Sequence, residues 1–430
     1  MLIEFRVENH RSLRDEQVLT MQAGSEANNQ DQRPRKIEGI RKPLLPAAAI
    51  YGANASGKSN VLSALGFMRD AVIHSHRAWS PEEEVPRDPF GWGPKAAEPS
   101  FFEVSFLAEG IRYQYGFVAN DERFLEEWLY AWPQGRKQTW FERDGDAYAF
   151  GDNLKGENQL VTEVTRPNAL FVSSAVQLRH HQLQPIYRWF RGLQTINIER
   201  RKTFPLFGAP FDPIVRKLIE EKEKEKENKP EHSNLGDIIG MLQAADTGIT
   251  DIRLASTDEG IAANGTRSGR PERRRVLLRH DTECEDAWLP LEAESQGTRT
   301  LYRVGPIVLE LLRSGGLLLV DELEASLHPA LGRQIIQQFN DPRTNPRHAQ
   351  ILFTTHDTHL LGGMLGDPPL RRDQVWLTEK AGNGATSVYA LTDYKPRPSE
   401  NLERGYLQGR YGAIPYLGEL ISPDPAANDD

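Results

Sequence analysis

The sequence predicts an α/β protein, a phosphate-loop nucleotide-binding core split by a β-rich insertion and a helical subdomain. Three observations lead there. A small apolar strand runs into the glycine-rich stretch GANASGKSN and then into a helix. A second apolar strand far downstream ends in Asp321-Glu322, and a third ends in Thr354-Thr355-His356. Between the first two lie roughly 260 residues whose patterning changes from alternating to helical.

Composition sets the frame. The chain has 430 residues, enough for two or three domains' worth of core. Hydrophobic content is 38% and charged content 26%, ordinary for a soluble protein. No apolar run approaches the roughly 18 residues that span a bilayer. The start, MLIEFRVENHRSL, carries charges among its first apolar residues and lacks a signal-peptide apolar region. Cys284 is the only cysteine, so no intrachain disulfide forms, which suits a cytoplasmic location. A net charge of −9 and a pI near 5.8 exclude a generic nucleic-acid binder, so such contact requires a local basic patch.

Taken in order, LIEFRVE alternates Ile3, Phe5 and Val7 and predicts a first strand. LLPAAAIY (Leu44 to Tyr51) predicts a buried strand, and Val61, Leu65, Met68 and Val72 give the next segment helical spacing. A loop rich in Pro, Trp and charge runs from Ala78 to Pro99. From about 100 to 151 a β-meander follows, with a hairpin turning at Glu109–Gly110. Val172 to Leu254 reads as mainly helical and includes the charged run Arg216 to Asn234, a solvated helix face or exposed loop. The Gly-rich stretch Asp258 to Arg275 separates it from alternating strands and helices that continue to about Leu391. The expected division is 1–170 for the N-terminal part of the core with its β-rich subdomain and 171–270 for the helical insertion. The second part of the core takes 271–395 and a tail takes 396–430.

Gly52 to Ser59 matches G-x-x-x-x-G-K-[ST], with a strand before it and a helix after it. Backbone N–H groups of such a loop face phosphates, and the helix N-terminus adds partial positive charge. Gly52, Asn54, Ala55, Ser56, Gly57, Lys58, Ser59 and Asn60 are therefore the candidate phosphate-binding residues. Lys58 is expected to reach the β- and γ-phosphates of ATP, and Ser59 to ligate Mg²⁺. A buried strand presenting acids at its C-terminal end is where wound sheets place ligands. Asp321 is accordingly the second Mg²⁺ residue and Glu322 the general base for the attacking water. His356, ending the next strand, is placed to hydrogen-bond the γ-phosphate or that water.

This order of motifs resembles ABC-type ATPases more than AAA+ proteins, which carry a polar sensor and an arginine finger. ABC-type proteins have a serine–glycine signature before the acidic-pair strand, and ESQGTRTL sits there, matching at Ser295 and Gly297 only. The resemblance implies that Ser295, Gln296 and Gly297, at a helix N-terminus, face the γ-phosphate held by a second subunit. EASLHP would then lie near the dimer seam. Gln177 in SSAVQLRHH is the candidate for the glutamine that couples Mg²⁺ to the helical subdomain, with Gln182 and Gln184 as neighbours. Together with IEFRVENHRSL, TRPNALFVSSA and GRYGAIPYL, these motifs resemble compact bacterial ABC-type ATPases, like RecF, SMC and OLD proteins in their core and often labelled AAA ATPases. GRYGAIP is similar to the RloA/AbiL-like antiphage-defence group, whose members commonly stand beside a separate nuclease-type subunit. His10 stands where that family more usually has an aromatic residue.

OLD-type relatives carry a nuclease domain after the ATPase, but only about 40 residues follow the last expected strand here. Asp144-Gly145-Asp146 reads as a hairpin turn rather than a metal site. Arg273, Arg274 and Arg275, with Arg267, Arg270 and Arg279, form a local basic cluster able to contact DNA phosphates, or a solvated loop. No aromatic residue interleaves it. The expectation is thus an ATP- and Mg²⁺-dependent hydrolase that self-associates and regulates a separate effector subunit. The alternative is a RecF- or SMC-like repair ATPase that clamps DNA itself. A transporter subunit is disfavoured by the long gap between phosphate loop and acidic pair.

Overall fold

The computed structural model describes residues 1–24, 31–198, 234–245, 247–256, 274–284, 286–325, 327–364, 366–397 and 400–415. The architecture is α/β, with a phosphate-loop core and a β-rich insertion. The chain opens with β1 (Leu2–Glu8) and β2 (Gln17–Thr20), then enters the core through β3 (Ala47–Gly52) and α1 (Lys58–His74). It returns to the first sheet through β4 (Ser100–Ala108), β5 (Ile111–Ala119), β6 (Phe124–Trp132), β7 (Gln138–Asp144) and β8 (Ala147–Phe150). These make an antiparallel seven-stranded sheet, ordered β2-β1-β4-β5-β6-β7-β8. Glu109 (φ 48°) and Gly110 (φ 78°) make the β4–β5 turn, both left-handed as tight hairpins of this twist require.

One face of this sheet packs on α1 and on the short helices α2 (Asn158–Val164), α3 (Phe171–Gln177) and α4 (Gln184–Arg191). Val61, Leu65, Met68 and Val72 are all buried there, as their spacing predicts. Glu127 pins α3 to the sheet. Its carboxylate accepts the N–H groups of Phe171 (2.6 Å) and Val172 (3.2 Å) and the Tyr115 hydroxyl (2.8 Å), beside Arg143 at 3.9 Å. A fully buried carboxylate is tolerated because donors surround it. Burial still pushes its pKa up, against the Arg143 charge.

After α4 come β9 (Gln194–Ile196), α5 (Asn234–Ala244), β10 (Ile249–Ser256), β11 (Arg274–His280) and β12 (Trp288–Pro290). The chain continues through α6 (Gln296–Ser314), β13 (Leu317–Val320), α7 (Pro329–Asn340), β14 (Gln350–Thr354), β15 (Val375–Lys380), β16 (Thr386–Ala390) and α8 (Leu402–Leu407). The second sheet is ordered β16-β15-β3-β14-β13-β9, and all its neighbours pair in parallel except β16 with β15. Its strands are apolar on both faces. Ala48, Ile50, Leu319 and Leu352 join the core under the first sheet, while Ala49, Leu318, Val320 and Phe353 join a second core. Buried Gln350 locks the two sheets together, its amide donating to Leu2 O (3.0 Å) and Leu45 O (2.9 Å).

Two strands, β9 and β10, fall inside the stretch read as mainly helical. β9 has three residues, too few to show a period, and pairs with β13 more than a hundred residues later. Most of the Arg216–Asn234 run lies outside the described residues, as do the SPDPAANDD tail and most of the Gly-rich stretch. Tyr406 and Tyr411, beyond residue 396, pack into the second core.

His10 fills a slot for an aromatic ring. It stacks with Phe67 (6.2 Å between centroids), meets Phe102 edge-on (5.7 Å), and its Nε2 lies 3.2 Å from Ser63 Oγ. Burial, and then the neighbouring Arg11 charge, lower its pKa to about 3. A lowered histidine pKa means the unfolded state takes up the proton first. Stability is therefore fully present above pH 6.5 and lost as pH falls toward 3. His10→Phe should remove a loss of about 2 kcal/mol between pH 7.5 and pH 5, read from urea unfolding at the two pH values. An unchanged pH slope would count against this origin.

Candidate active site

The site forms where β3, β13, β14 and β9 end together. After Gly52 the backbone curls through two left-handed residues, Ala55 (φ 60°) and Gly57 (φ 101°). A Cβ on Gly52 would meet Thr378 Oγ1 at 2.3 Å, and one on Gly57 would meet Thr386 Oγ1 at 2.2 Å. The loop rests on hydroxyls that its motif does not mention. Ser56 Oγ pairs with Thr378 Oγ1 and Thr386 Oγ1 donates to Ser56 O, both at 2.7 Å. Asn60 Nδ2 donates to Ser12 Oγ at 2.6 Å, and Ser12 also meets Thr386 at 2.7 Å. Asn54 and Ala55 stand exposed at the lip.

No side chain caps the N-terminus of α1, and while the Asn60 N–H donates to Gly57 O at 3.0 Å, the N–H groups of Lys58 and Ser59 are left to meet an anion. Lys58 is 6% exposed and turns its Nζ into the loop, donating to Gly52 O (2.9 Å) and Ala53 O (3.0 Å). Burial lowers its pKa, against the charges of Asp321, Glu324 and Glu322.

Asp321 enters from β13. Its Oδ1 accepts hydrogen bonds from Ser59 Oγ (2.9 Å) and Thr354 Oγ1 (2.6 Å). Glu322 follows at φ 52°, a conformation costing a non-glycine residue on the order of 1 kcal/mol. Its N–H donates to Thr354 Oγ1 at 2.8 Å, and its side chain is exposed. His356 N–H donates to Glu324 Oε1 at 2.6 Å. Partial burial, and then the Lys58 charge, lower the His356 pKa, against the charges of Glu324, Glu322 and Asp321.

The donors fit a magnesium ion. Ser59 hydroxyl and Asp321 carboxylate are adjacent hard oxygens, and Mg²⁺ commonly takes one or two protein oxygens with phosphate and water completing its shell. Among the described residues no group of three or more His, Cys, Asp or Glu could hold a metal ion.

The remaining expected residues are placed as follows. Gln177 is exposed at the end of α3 and makes no hydrogen bond to Ser59 or Asp321 among the described residues. Gln182 and Gln184 donate to Asn153 O (2.9 Å) and Val176 O (3.5 Å). The side-chain amide that reaches the Asp321 strand end is Asn197, just after β9, donating to Asp321 O at 3.2 Å. Asn197, Thr354, Glu324, Ser12, Thr378 and Thr386 all escaped the sequence reading. Only Ser12, Glu324 and Thr354 lay inside motifs already quoted.

Ser295 caps α6, its Oγ accepting Thr298 N–H at 3.1 Å. Ser295 and Gln296 are exposed and Gly297 partly so, and none bonds to the phosphate loop of the same chain among the described residues. Asp144 and Asp146 flank the Gly145 turn, where Asp146 pairs with Arg123.

Arg267, Arg270 and Arg273 lie outside the described residues, and only the backbone of Arg274 is described. Arg275 and Arg279 are exposed on the outer face of β11, opposite buried Val276 and Leu278. The register sets Arg253 on that face too, with its guanidinium 4.2 Å from the Trp288 ring. Pairing across strands thus supplies the aromatic neighbour that adjacent sequence lacks.

Gly57→Ala should cost roughly 2 kcal/mol of stability and weaken ATP binding at least about tenfold, measured by thermal unfolding and calorimetric titration. Wild-type values for both would show that the loop tolerates a side chain there.

No curated protein sequence is significantly similar to this chain. Similar solved structures include the SMC head domain from Thermotoga maritima, at 12% identity and a TM-score of 0.40, covering 90% of this chain and 98% of that one. An SmcHead bound to the C-winged helix domain of ScpA aligns at 12% identity and a TM-score of 0.44, covering 90% and 97%. An Smc head domain with an extended coiled coil, bound to the C-terminal domain of ScpA derived from Pyrococcus furiosus, aligns at 13% identity and a TM-score of 0.39, covering 95% and 98%. A family model described as "AAA domain, putative AbiEii toxin, Type IV TA system" matches residues 47–362, from β3 and the phosphate loop to just past His356. The chain belongs to that AAA domain family.

Proposed function

We propose that this protein is a Mg²⁺-dependent ATP hydrolase whose complete sites form between two copies of the chain. We place it as a sensor and regulatory scaffold in a cytoplasmic antiphage-defence complex, where it controls a separate nuclease-type effector. The observation that carries the hydrolase reading is the convergence of the Ser59 and Thr354 hydroxyls on one Asp321 carboxylate oxygen beside a phosphate loop.

Each residue's task follows from its chemistry. Lys58 exchanges two carbonyl partners for phosphate oxygens, which compensate a partly buried ammonium better. Ser59 and Asp321 would hold the cation, which would supply positive charge against the phosphates. Glu322 accepts a proton from the attacking water. His356 hydrogen-bonds the γ-phosphate or that water. Ser295, Gln296 and Gly297 close the site from the partner copy, using the free N–H groups at the start of α6.

The defence role and the separate effector draw on the resemblance of GRYGAIP to the RloA/AbiL-like group, whose members commonly stand beside a nuclease-type subunit. Among the described residues no helix is long and apolar enough to cross a membrane. A second reading, direct DNA clamping, is favoured by Arg253, Arg275, Arg279 and Trp288 sharing one sheet face. Salt-sensitive duplex binding lost in the triple alanine variant of those arginines supports it. No such binding, with a nuclease subunit co-purifying, supports the effector reading.

Glu322→Gln should bind ATP normally, hydrolyse it at least about a hundredfold more slowly, and elute as a dimer when ATP is present. Near-normal turnover would remove Glu322 as the base. Adding Ser295→Arg should return that variant to a monomer that still binds ATP, and a persistent dimer would overturn the shared site.

A further inference from the structure

We infer that Thr354 is a positioning residue that ties Asp321 and Glu322 into one unit and so sets the rate of hydrolysis without touching the nucleotide. Thr354 is fully buried at the end of β14. Its hydroxyl proton goes to Asp321 Oδ1 at 2.6 Å, while its oxygen accepts the Glu322 N–H at 2.8 Å. The direction of both bonds is settled, because a carboxylate only accepts and an amide only donates. Its main-chain carbonyl then takes the next donor along, Leu323 N–H, at 3.1 Å.

Glu322 depends on that arrangement. Its backbone is left-handed, at φ 52°, which an L-residue with a long side chain rarely adopts. The Thr354 hydroxyl holds this residue's N–H, and therefore helps to set where the carboxylate leaves the chain. The same hydroxyl grips the cation-binding aspartate. Ser59 donates to that aspartate oxygen as well, at 2.9 Å, so Thr354 is the bond left on Oδ1 if Ser59 turns to a cation. Two residues on, His356 N–H is held by Glu324 at 2.6 Å. Residues 354–356 are thus laced to 321–324, and the hydroxyl is the centre of the lacing.

Valine would fill the same volume in the strand, so a purely structural Thr354 predicts an active valine variant. The inference rests on the hydrolase reading, and one readout is independent of turnover. Thr354→Val should lower kcat about thirtyfold, leave KM for ATP within about twofold, and exchange the Glu322 amide hydrogen faster in nucleotide-free protein. Thr354→Ser should restore most of kcat. In the Glu322→Gln background, Thr354→Val should cause a clearly smaller loss of hydrolysis, since of the two groups it positions only Asp321 remains to act.

A valine variant with wild-type kcat and amide exchange overturns the inference. So does a thirtyfold loss that persists undiminished in the Glu322→Gln background, or serine failing to rescue a folded protein. If valine prevents folding, the serine variant and Thr354→Cys, a weaker donor, take its place with an intermediate kcat expected of the cysteine. If Glu322→Gln hydrolyses ATP normally, the hydrolase assignment of that residue falls, and amide exchange still decides whether Thr354 holds its backbone.

Discussion

The parallel alignment of β9, β13, β14, β3 and β15 is the constraint from which the candidate site follows. Parallel strands end on the same edge, so residues remote in sequence become neighbours at their C-termini. Gly52, Asn197, Asp321 and Thr354 stand at or just past such an end, and Thr378 pairs beside Gly52. Ser59 and Asp321 are 262 residues apart in the chain and 2.9 Å apart in space. Antiparallel strands would scatter the same residues over two edges.

A charged site at the edge of an apolar sheet needs compensation, and nearly every polar atom there is compensated. Carbonyls hold Lys58, hydroxyls hold Asp321, and the loop beneath is carried by Ser12, Thr378 and Thr386. Ser12 belongs to the turn after β1, so the phosphate loop rests on the antiparallel sheet as well as on the parallel one. Gln350 joins the same two sheets from the other end of β14. A change in the loop on filling with phosphate would therefore press on both sheets.

Exposure divides the site in two. Gly52, Ser56, Gly57, Lys58, Ser59 and Asp321 are buried or half-buried, whereas Asn54, Ala55, Glu322, His356, Ser295 and Gln296 are exposed. On the proposed reading, a second copy covers the exposed groups and excludes water. The Ser295 cap at the start of α6 fits that division, having its own helix to serve and free N–H groups to offer.

By itself, the amino-acid sequence determined what local chemistry can encode: the strand, phosphate loop and helix from Ala47 to His74, the acidic pair, the β-meander and the hairpin turn at Glu109–Gly110. Each depends on residues close together in the chain, where periodicity, glycine conformation and loop spacing act directly. The aromatic slot was half legible, since His10 stood out but its burial and lowered pKa came only with Phe67 and Phe102 around it. Tertiary structure alone decided that a three-residue strand, β9, brings Asn197 to Asp321. It also decided that Trp288 shares a face with Arg253, and that an unremarkable threonine holds both acids. Those partners are chosen by strand pairing between distant segments, and the energy that selects them comes from burying whole sheet faces, which no short stretch of sequence contains.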